Sequence, residues 1–325
     1  MNRPTVGVLL LQLGTPDEPT PTAVRRYLAE FLSDHRVVDS PRWLWLPILH
    51  GIILRRRPPR SAALYKKIWR AEGTSPLLHF TRQQTAAVEA ALGKQVKIGF
   101  AMRYGNPSID VVMDEMLVAG VEKLLVYPLY PQFSASTTGS GIDAVHNYFA
   151  KKRSIPSIRF ASPFHNNPLY INALAEQIKN QHKPNDDPFY LFSFHGLPQR
   201  HETEGDPYGN QCRTTADLLA KALNLPEERW QITFQSRFGN EPWLLPATDK
   251  ILAELPGNGE KTVVAACPGF VADCLETLEE IAVTGKETFI AAGGENFQTV
   301  PCLNASPTWT DALTKMVSVE LAGWI

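Results

Sequence analysis

Cysteine is scarce in this chain of 325 residues, and its spacing excludes the usual cysteine-rich sites. The four cysteines stand at positions 212, 267, 274 and 302, so none of them belongs to a Cys-x-x-Cys pair. Neither a structural zinc site nor a disulfide framework is therefore predicted. Scattered free cysteines suit a reduced, cytoplasmic setting.

An excess of positive charge is also missing, because 32 lysines and arginines stand against 33 aspartates and glutamates. This balance argues against a protein dedicated to nucleic acid. Long apolar runs are missing too: Trp43–Leu54 is mostly apolar but shorter than the roughly twenty residues that a bilayer span needs. The first fifteen residues lack the basic start and the cleavage site of a secretory signal.

Two glycine-rich phosphate-binding signatures are absent from the sequence. Leu13-Gly-Thr-Pro16 follows an apolar run but lacks the later glycines of Gly-x-Gly-x-x-Gly, and the hydroxyl-rich turn at 131–141 lacks Gly-Lys-Ser/Thr. The first stretch is expected to be a plain turn. The second is expected to cap a helix, with anion binding as the alternative. A nucleotide-dependent enzyme is therefore disfavoured.

What the chain does contain is a repeated alternation of strand and helix patterns. Strands are predicted in a first half at Val6–Gln12, Val96–Met102 and Lys123–Tyr130. A second set is predicted at Ile158–Pro163, Phe189–His195, Trp230–Gln235, Thr262–Ala266 and Thr288–Ala292. Helical patterns lie between them, and another helix is predicted at about Pro307–Leu321. This order predicts an α/β protein with two doubly wound parallel sheets that share a cleft.

One predicted strand ends on a histidine. Five of the six residues from Phe189 to Phe194 are aromatic or large apolar residues, and Gly196 and Pro198 then stop the strand. His195 is thereby placed at the carboxyl end of the strand, where open α/β sheets bind their ligands. The alternative is a histidine with a structural role only.

A row of acidic residues follows the strand that ends at Ala266. If a helix begins near Asp273, then Asp273, Glu276 and Glu280 fall at i, i+3 and i+7 on one face. A capping box formed by Asp273 and Glu276 would explain two of the three without function, but it leaves Glu280 unexplained. A histidine with several carboxylates suits either a divalent metal or a proton relay.

The segment Trp43–Leu54 runs directly into the basic stretch Arg55-Arg-Arg-Pro-Pro-Arg60. Apolar residues beside an arginine cluster suit the interface between lipid and water. Two alternatives are an ordinary packed helix with a basic end and an apolar lip over a pocket for a flat ligand, with arginines for its carboxylates.

Several motifs together resemble those of the ferrochelatase family, which inserts ferrous iron into a porphyrin to make haem. The resemblance covers nearly the whole chain. The motifs that carry it are Leu13-Gly-Thr-Pro16, Tyr130-Pro-Gln-Phe-Ser-Ala-Ser-Thr-Thr-Gly139, Phe192-Ser-Phe-His-Gly-Leu-Pro198, Gly205-Asp-Pro-Tyr208, Phe234-Gln-Ser-Arg-Phe-Gly239 with Pro242-Trp243, and Pro268-Gly-Phe-Val-Ala-Asp-Cys-Leu-Glu-Thr-Leu278.

The resemblance implies a fold of two Rossmann-like halves around a porphyrin cleft. It implies an N-terminal domain of residues 1–157 plus a returning C-terminal segment, 300–325, and a second domain of residues 158–299. The second domain would carry His195 and the acidic helix. The substrates implied are a porphyrin, with protoporphyrin IX favoured over coproporphyrin, and ferrous iron, which is a substrate and not a cofactor.

The resemblance also implies roles for individual residues. His195 and Glu276 match the catalytic and metal-contacting pair, and Asp273 and Glu280 match a relay for protons or metal. The porphyrin-binding matches are Arg57, Tyr65, Ser75, Arg103, Tyr104 and Trp243, and a metal approach is suggested at Tyr130 and His165. Trp43–Leu54 becomes a hydrophobic lip that touches the inner face of the membrane peripherally, in an otherwise cytoplasmic protein.

The sequence departs from the family pattern at three places. Phe194 and Gly196 flank His195 where many members have a small residue and a serine, and Cys274 stands where many have histidine. Some members bind an iron–sulfur cluster through C-terminal cysteines, whereas only Cys302 lies near the end of this chain, so no cluster is predicted. A chelatase for another metal or tetrapyrrole and a non-catalytic porphyrin carrier remain as alternatives.

Overall fold

The chain divides into two compact units in a computed structural model that describes residues 5–181, 187–239 and 241–325. Unit 1 contains the residues up to Tyr130 together with Ser134–Pro163 and Ala305–Ile325, and unit 2 contains Pro131–Phe133 and Phe164–Asn304. The main boundary thus follows Pro163 and not residue 157, and the return to unit 1 begins at Ala305 and not at residue 300.

Unit 1 is built on a parallel sheet of four strands in the order β2-β1-β3-β4. The central strand, β1, is buried along nearly its whole length, as expected for an apolar run covered on both faces. The strands are β1 Val6–Thr15, β2 Val96–Gly105, β3 Lys123–Pro128 and β4 Ser157–Phe160. The α-helices are α1 Pro21–Ser33, α2 Arg42–Ile48, α3 Leu54–Ile68, α4 Pro76–Leu92, α5 Ile109–Ala119 and α6 Ser140–Phe149, with π-helical turns at Leu49–Ile53 and Ala135–Gly139.

Unit 2 repeats this topology with a second parallel sheet in the order β6-β5-β7-β8. Its strands are β5 Phe189–His195, β6 Trp230–Gln235, β7 Thr262–Ala266 and β8 Asn296–Thr299. Its helices are α7 Pro168–Gln181, α8 Gln199–Thr203, α9 Tyr208–Leu223, α10 Thr248–Glu254, a π-helix at Glu276–Gly285 and α11 Lys286–Ala291. The last helix, α12 Pro307–Glu320, belongs to unit 1.

One predicted strand belongs to the other sheet, and another is a helix. Residues 158–160 do not open the second set of strands, because β4 pairs in parallel with β3 and completes the first sheet. Residues 288–291 are helical and not a strand, because the π-helix continues directly into α11. Phe289 is fully buried against Phe297 of β8, so burial and not strand pairing explains this apolar stretch.

Polar side chains mark the starts of several helices. The side chains of Thr20, Ser75 and Ser306 accept hydrogen bonds from backbone amides in the first turns of α1, α4 and α12. Each of these helices also has proline at its first positions, where the missing N–H costs nothing. Within the described ranges, no helix combines the length and the apolar character that crossing a membrane requires.

Candidate active site

His195 is the last residue of β5, at the carboxyl end of a central strand of the second sheet. Its side chain is half-buried, and Nδ1 lies 2.7 Å from the carbonyl oxygen of Gly196. A carbonyl oxygen can only accept, so Nδ1 carries the proton of the neutral imidazole. The lone pair is thereby left on Nε2, which is the atom that can take a proton or a metal ion.

Gly196 gives the histidine loop a close approach that a larger residue would prevent. A Cβ atom at this position would lie 2.7 Å from the carbonyl oxygen of Gln235 and 3.1 Å from Cε3 of Trp243. Glycine at this position therefore permits the tight packing of Trp243, one of the predicted porphyrin contacts. The indole Nε1 of Trp243 is buried and has no hydrogen-bond partner among the described residues.

Glu276 and Glu280 lie in the π-helix of unit 2, and Gln235 connects this helix to the sheet. The side-chain Nε2 of Gln235 donates to the Glu276 carbonyl oxygen at 2.9 Å and to Oε2 of Glu280 at 3.3 Å. The backbone amide of Ser236 donates to Oε1 of Glu280 at 2.7 Å, and the Ser236 hydroxyl donates to Oε2. Gln235 is also the parallel partner of His195 in the sheet, so the histidine strand and the acidic helix share this residue.

Asp273 does not lie on the face that the helical spacing predicted. The π-helix begins at Glu276 without a side-chain cap, so the capping box is not formed and Asp273 precedes the helix. Its buried carboxylate accepts hydrogen bonds from the Thr277 hydroxyl at 3.0 Å, the Cys302 amide at 3.2 Å and the Asn304 side chain at 2.6 Å. These contacts make Asp273 an anchor between two loops of unit 2.

Cys274 is buried beside Glu276. Burial raises the pKa of the Cys274 thiol well above its ordinary value, and the charge of Glu276 and a hydrogen bond with its side chain raise it further. The thiol therefore stays neutral next to the glutamate.

A second polar cluster, in unit 1, contains the predicted pair Arg103 and Tyr104. Arg103 Nη2 donates to Oδ2 of Asp34 at 2.5 Å, and its Nε donates to the Ser140 hydroxyl oxygen at 2.7 Å. The Tyr104 hydroxyl donates to the same Asp34 oxygen at 2.8 Å, and the guanidinium of Arg103 lies 4.5 Å from the Tyr104 ring centre. Asp34 thus partly neutralises Arg103 and fixes both side chains.

The pKa of Asp34 is shifted by opposing influences. Burial by itself would raise it, but hydrogen bonds from Ser140, the Arg36 amide and Tyr104, together with the charge of Arg103, hold the pKa below its ordinary value of 3.8. For Tyr104, burial raises the pKa, so its hydroxyl stays protonated as a donor. Ser140 comes from the hydroxyl-rich turn that was predicted to cap a helix, and Ser134 in that turn does cap the amide of Ser136.

The three remaining porphyrin-binding predictions in unit 1 have different surroundings. Ser75 is buried, and its hydroxyl accepts the Leu78 amide as the cap of α4. Tyr65 is buried on α3 and packs edge-to-face against Trp69, with ring centres 6.2 Å apart. Arg57 is exposed on the same helix.

The residues predicted for a metal approach each carry a buried polar atom without a described hydrogen-bond partner. These atoms are the hydroxyl of Tyr130 and Nδ1 of His165. Burial lowers the pKa of His165 and raises that of Tyr130, so both side chains stay neutral. Among the described residues, no group of three or more histidine, cysteine, aspartate or glutamate side chains could hold a metal ion.

The Trp43–Leu54 segment is helical and presents large apolar side chains to solvent. Trp43 is 79% exposed and Ile52 is 52% exposed, whereas Leu49 and Leu54 are buried. The indole of Trp45 donates to the Leu32 carbonyl oxygen at 2.7 Å, which attaches the segment to the end of α1. Exposed apolar side chains in a row indicate a contact surface.

Comparison with known proteins gives the family. A family model described as Ferrochelatase matches residues 5–321. The chain belongs to the ferrochelatase family. It is 49% identical over 326 residues to a protein named Ferrochelatase from Marinobacter nauticus, covering 98% of this chain and 87% of that protein. It is 48% identical over 327 residues to Ferrochelatase 1 from Shewanella oneidensis, covering 99% and 98%.

A solved structure agrees with the fold. SirB from Bacillus subtilis with Fe3+ aligns with a TM-score of 0.57 at 14% identity, covering 77% of this chain and 93% of that one. The predicted α/β fold with two parallel sheets is confirmed. As a member of the ferrochelatase family the chain is a metal chelatase, a lyase of haem biosynthesis that acts on a porphyrin and iron.

Sequence reasoning missed three residues that organise these sites. Gln235 lies in one of the motifs shared with the family and Ser140 lies in the hydroxyl-rich turn at 131–141, but no role was predicted for either of them or for Asp34. Each of these polar residues lies at or just beyond the end of a helix or strand, and this position is the one signal that the sequence offers. The hydrogen-bond partners of such residues cannot be read from the sequence.

Proposed function

We propose that this protein is a protoporphyrin ferrochelatase and that His195 and Glu276 carry the reaction. The overall change replaces the two pyrrole N–H protons of the free porphyrin with Fe²⁺ and releases two protons. Iron is a substrate here, and we propose that no resident cofactor or iron–sulfur cluster is needed. The observation that carries this proposal is the position and tautomer of His195.

His195 would accept a pyrrole proton on Nε2. The hydrogen bond from Nδ1 to the Gly196 carbonyl supports this role, because it fixes the ring and leaves the Nε2 lone pair available. A proton and a metal ion compete for that lone pair, so His195 can serve only one of them at a time.

Glu276 and Glu280 would provide negative charge beside the histidine strand. The Gln235 contacts support this arrangement, since they tie the π-helix to the sheet position opposite His195. Glu276 would contact iron, and Glu280 would pass on protons or metal. Asp273 was predicted in the same relay, but its three hydrogen bonds favour a supporting role.

Arg103, Tyr104, Trp243, Arg57, Tyr65 and Ser75 are proposed as porphyrin contacts, with unequal support. Arg103 and Tyr104 are best supported because Asp34 and Ser140 hold them in fixed positions. Trp243 offers a buried indole N–H that has no hydrogen-bond partner in the part of the chain that the structure describes. Tyr130 and His165 are proposed for the metal approach because each has a buried polar atom without a hydrogen-bond partner among residues 5–181, 187–239 and 241–325.

An anaerobic metallation assay tests the function. The purified protein is mixed with Fe²⁺ and either protoporphyrin IX or coproporphyrin III, and loss of free-base porphyrin fluorescence is followed. We expect the higher kcat/KM with protoporphyrin. A higher value with coproporphyrin would overturn the substrate assignment, and turnover with cobalt but not iron would overturn the metal assignment. Binding of porphyrin without loss of fluorescence would instead indicate a carrier.

We further propose that the protein works in the cytoplasm and contacts the inner face of the membrane through Trp43–Leu54. The exposed Trp43, Leu44 and Ile52 support this proposal, as do the exposed Arg55 and Arg56 directly after the segment. Apolar side chains next to arginines favour a surface of anionic lipid.

A further inference from the structure

We propose that Gln235 is a positioning residue that fixes Glu276 and Glu280 of the π-helix relative to the histidine strand. Gln235 is 2% exposed and ends β6, where it pairs with His195 in parallel register. The inference rests on the function proposed above, and it adds a residue that would act through the two glutamates and not on porphyrin or iron directly.

The side-chain amide of Gln235 is held in one orientation by a buried hydroxyl chain. Its Oε1 accepts a hydrogen bond from the Ser193 hydroxyl at 2.7 Å. Ser193 lies 2.9 Å from the Thr248 hydroxyl, which in turn donates to the Thr233 hydroxyl oxygen at 2.9 Å. All three hydroxyl residues are buried, and Ser193 therefore donates to the acceptor side of the amide from a site where water does not replace it.

This orientation directs both N–H bonds of the amide at the acidic helix. One N–H reaches the carbonyl oxygen of Glu276 at 2.9 Å, and the other reaches Oε2 of Glu280 at 3.3 Å. A rotated amide would place Oε1 against these two acceptors, which is repulsive. Gln235 therefore links β5, β6 and the π-helix through a single side chain.

The next residue strengthens the same link. Ser236 has a left-handed backbone with φ of 62°, uncommon for a residue with a side chain. Its N–H and its hydroxyl both donate to the Glu280 carboxylate. Two consecutive residues at the end of β6 thus place Glu280, and only Gln235 also holds the backbone at Glu276.

If Gln235 positions the two glutamates, its loss should affect the chemical step and not porphyrin binding. Gln235→Met keeps the size of the side chain but removes all its hydrogen bonds, and Ser193→Ala removes only the donor that orients the amide. We expect Gln235→Met to lower kcat about tenfold or more, since small misplacements of reacting groups are costly. Ser193→Ala should give a smaller loss of kcat, and KM for porphyrin should stay within about twofold in both variants.

The matched control is Gln84→Met, which replaces another buried glutamine, on α4 of unit 1. The kinetics are combined with amide hydrogen exchange of the full chain. We expect faster exchange in residues 276–285 for Gln235→Met and wild-type exchange there for Gln84→Met. Hydrogen exchange does not depend on turnover. It therefore tests the positioning role of Gln235 even if the wild type fails to metallate porphyrin.

Three results would overturn the inference: wild-type kcat in Gln235→Met, a raised KM with unchanged kcat, or unchanged exchange across residues 276–285. If Gln235→Met does not fold, Ser193→Ala takes its place: wild-type kcat or unchanged hydrogen exchange across residues 276–285 in that variant would overturn the inference. A wild type that lacks activity, combined with faster exchange in Gln235→Met, would refute the proposed function and leave the positioning intact.

Discussion

The chemistry of His195 depends on Gly196, the residue that follows it in the sequence. Gly196 follows it directly and provides the carbonyl oxygen that holds Nδ1. The position of His195 at a strand end was predictable, because an apolar run stopped by glycine and proline defines such an end. The tautomer was not predictable, because it depends on where one carbonyl oxygen points.

Asp34 gives a prediction at the residue scale. Asp34→Asn removes the charge that pairs with Arg103, so we expect a loss of about 2 kcal/mol in the free energy of unfolding at pH 7. The native pKa of Asp34 lies below 3.8, so its contribution is complete above that pH and disappears as the pH falls through the native pKa.

Urea unfolding of both proteins at several pH values measures this effect. The difference between wild type and Asp34→Asn should be constant near neutral pH and should shrink below about pH 4. A difference that grows on acidification would contradict the assigned direction of the pKa shift.

At the scale of elements, the close contact between β1 and β2 gives a second prediction. Gly14 has φ of 121°, and a Cβ atom there would lie 1.8 Å from the Tyr104 carbonyl oxygen. Gly14→Ala should therefore destabilise unit 1 by about 2 kcal/mol or more and displace Tyr104.

Thermal unfolding and porphyrin titration together test this substitution. Gly73→Ala is the matched control, since Gly73 also has a positive φ, of 77°, but no atom within 4 Å of an added Cβ. If Gly14→Ala lowers Tm no more than Gly73→Ala does, the close approach of Gly14 to Tyr104 does not contribute to stability.

The π-helix shows where element prediction failed and why. Helical spacing of 3.6 residues grouped Asp273 with the two glutamates, but the helix starts later and has i→i+5 hydrogen bonds. Its continuation into α11 also explains the wrong strand at 288–292. Apolar residues in a short run do not distinguish a strand from a buried helix.

At the scale of the whole molecule, the fold class was predictable from alternating strand and helix patterns alone. The exact assignment of β4 was not, because a strand at the edge of one sheet and a strand that opens another look alike in sequence. The site residues were predictable from the resemblance to one family, whereas the hydrogen bonds that connect them depend on the folded structure.

The exposed apolar segment gives a prediction for the whole molecule. Replacing Trp43 and Ile52 with serine should weaken cosedimentation with vesicles that contain phosphatidylserine, because apolar burial and arginine attraction act together there. Val118→Ser serves as the control, since Val118 is 81% exposed on α5. Equal cosedimentation of the double variant and the wild type would remove the proposed membrane contact.

The most direct measurement for the central claim compares His195→Ala with the wild type in anaerobic metallation of protoporphyrin by Fe²⁺. We expect kcat to fall at least about 100-fold, the usual range for loss of a general base, while the porphyrin Kd from fluorescence titration stays within about threefold. Near-normal turnover by the folded variant would contradict the assignment of His195 as the group that receives the pyrrole proton.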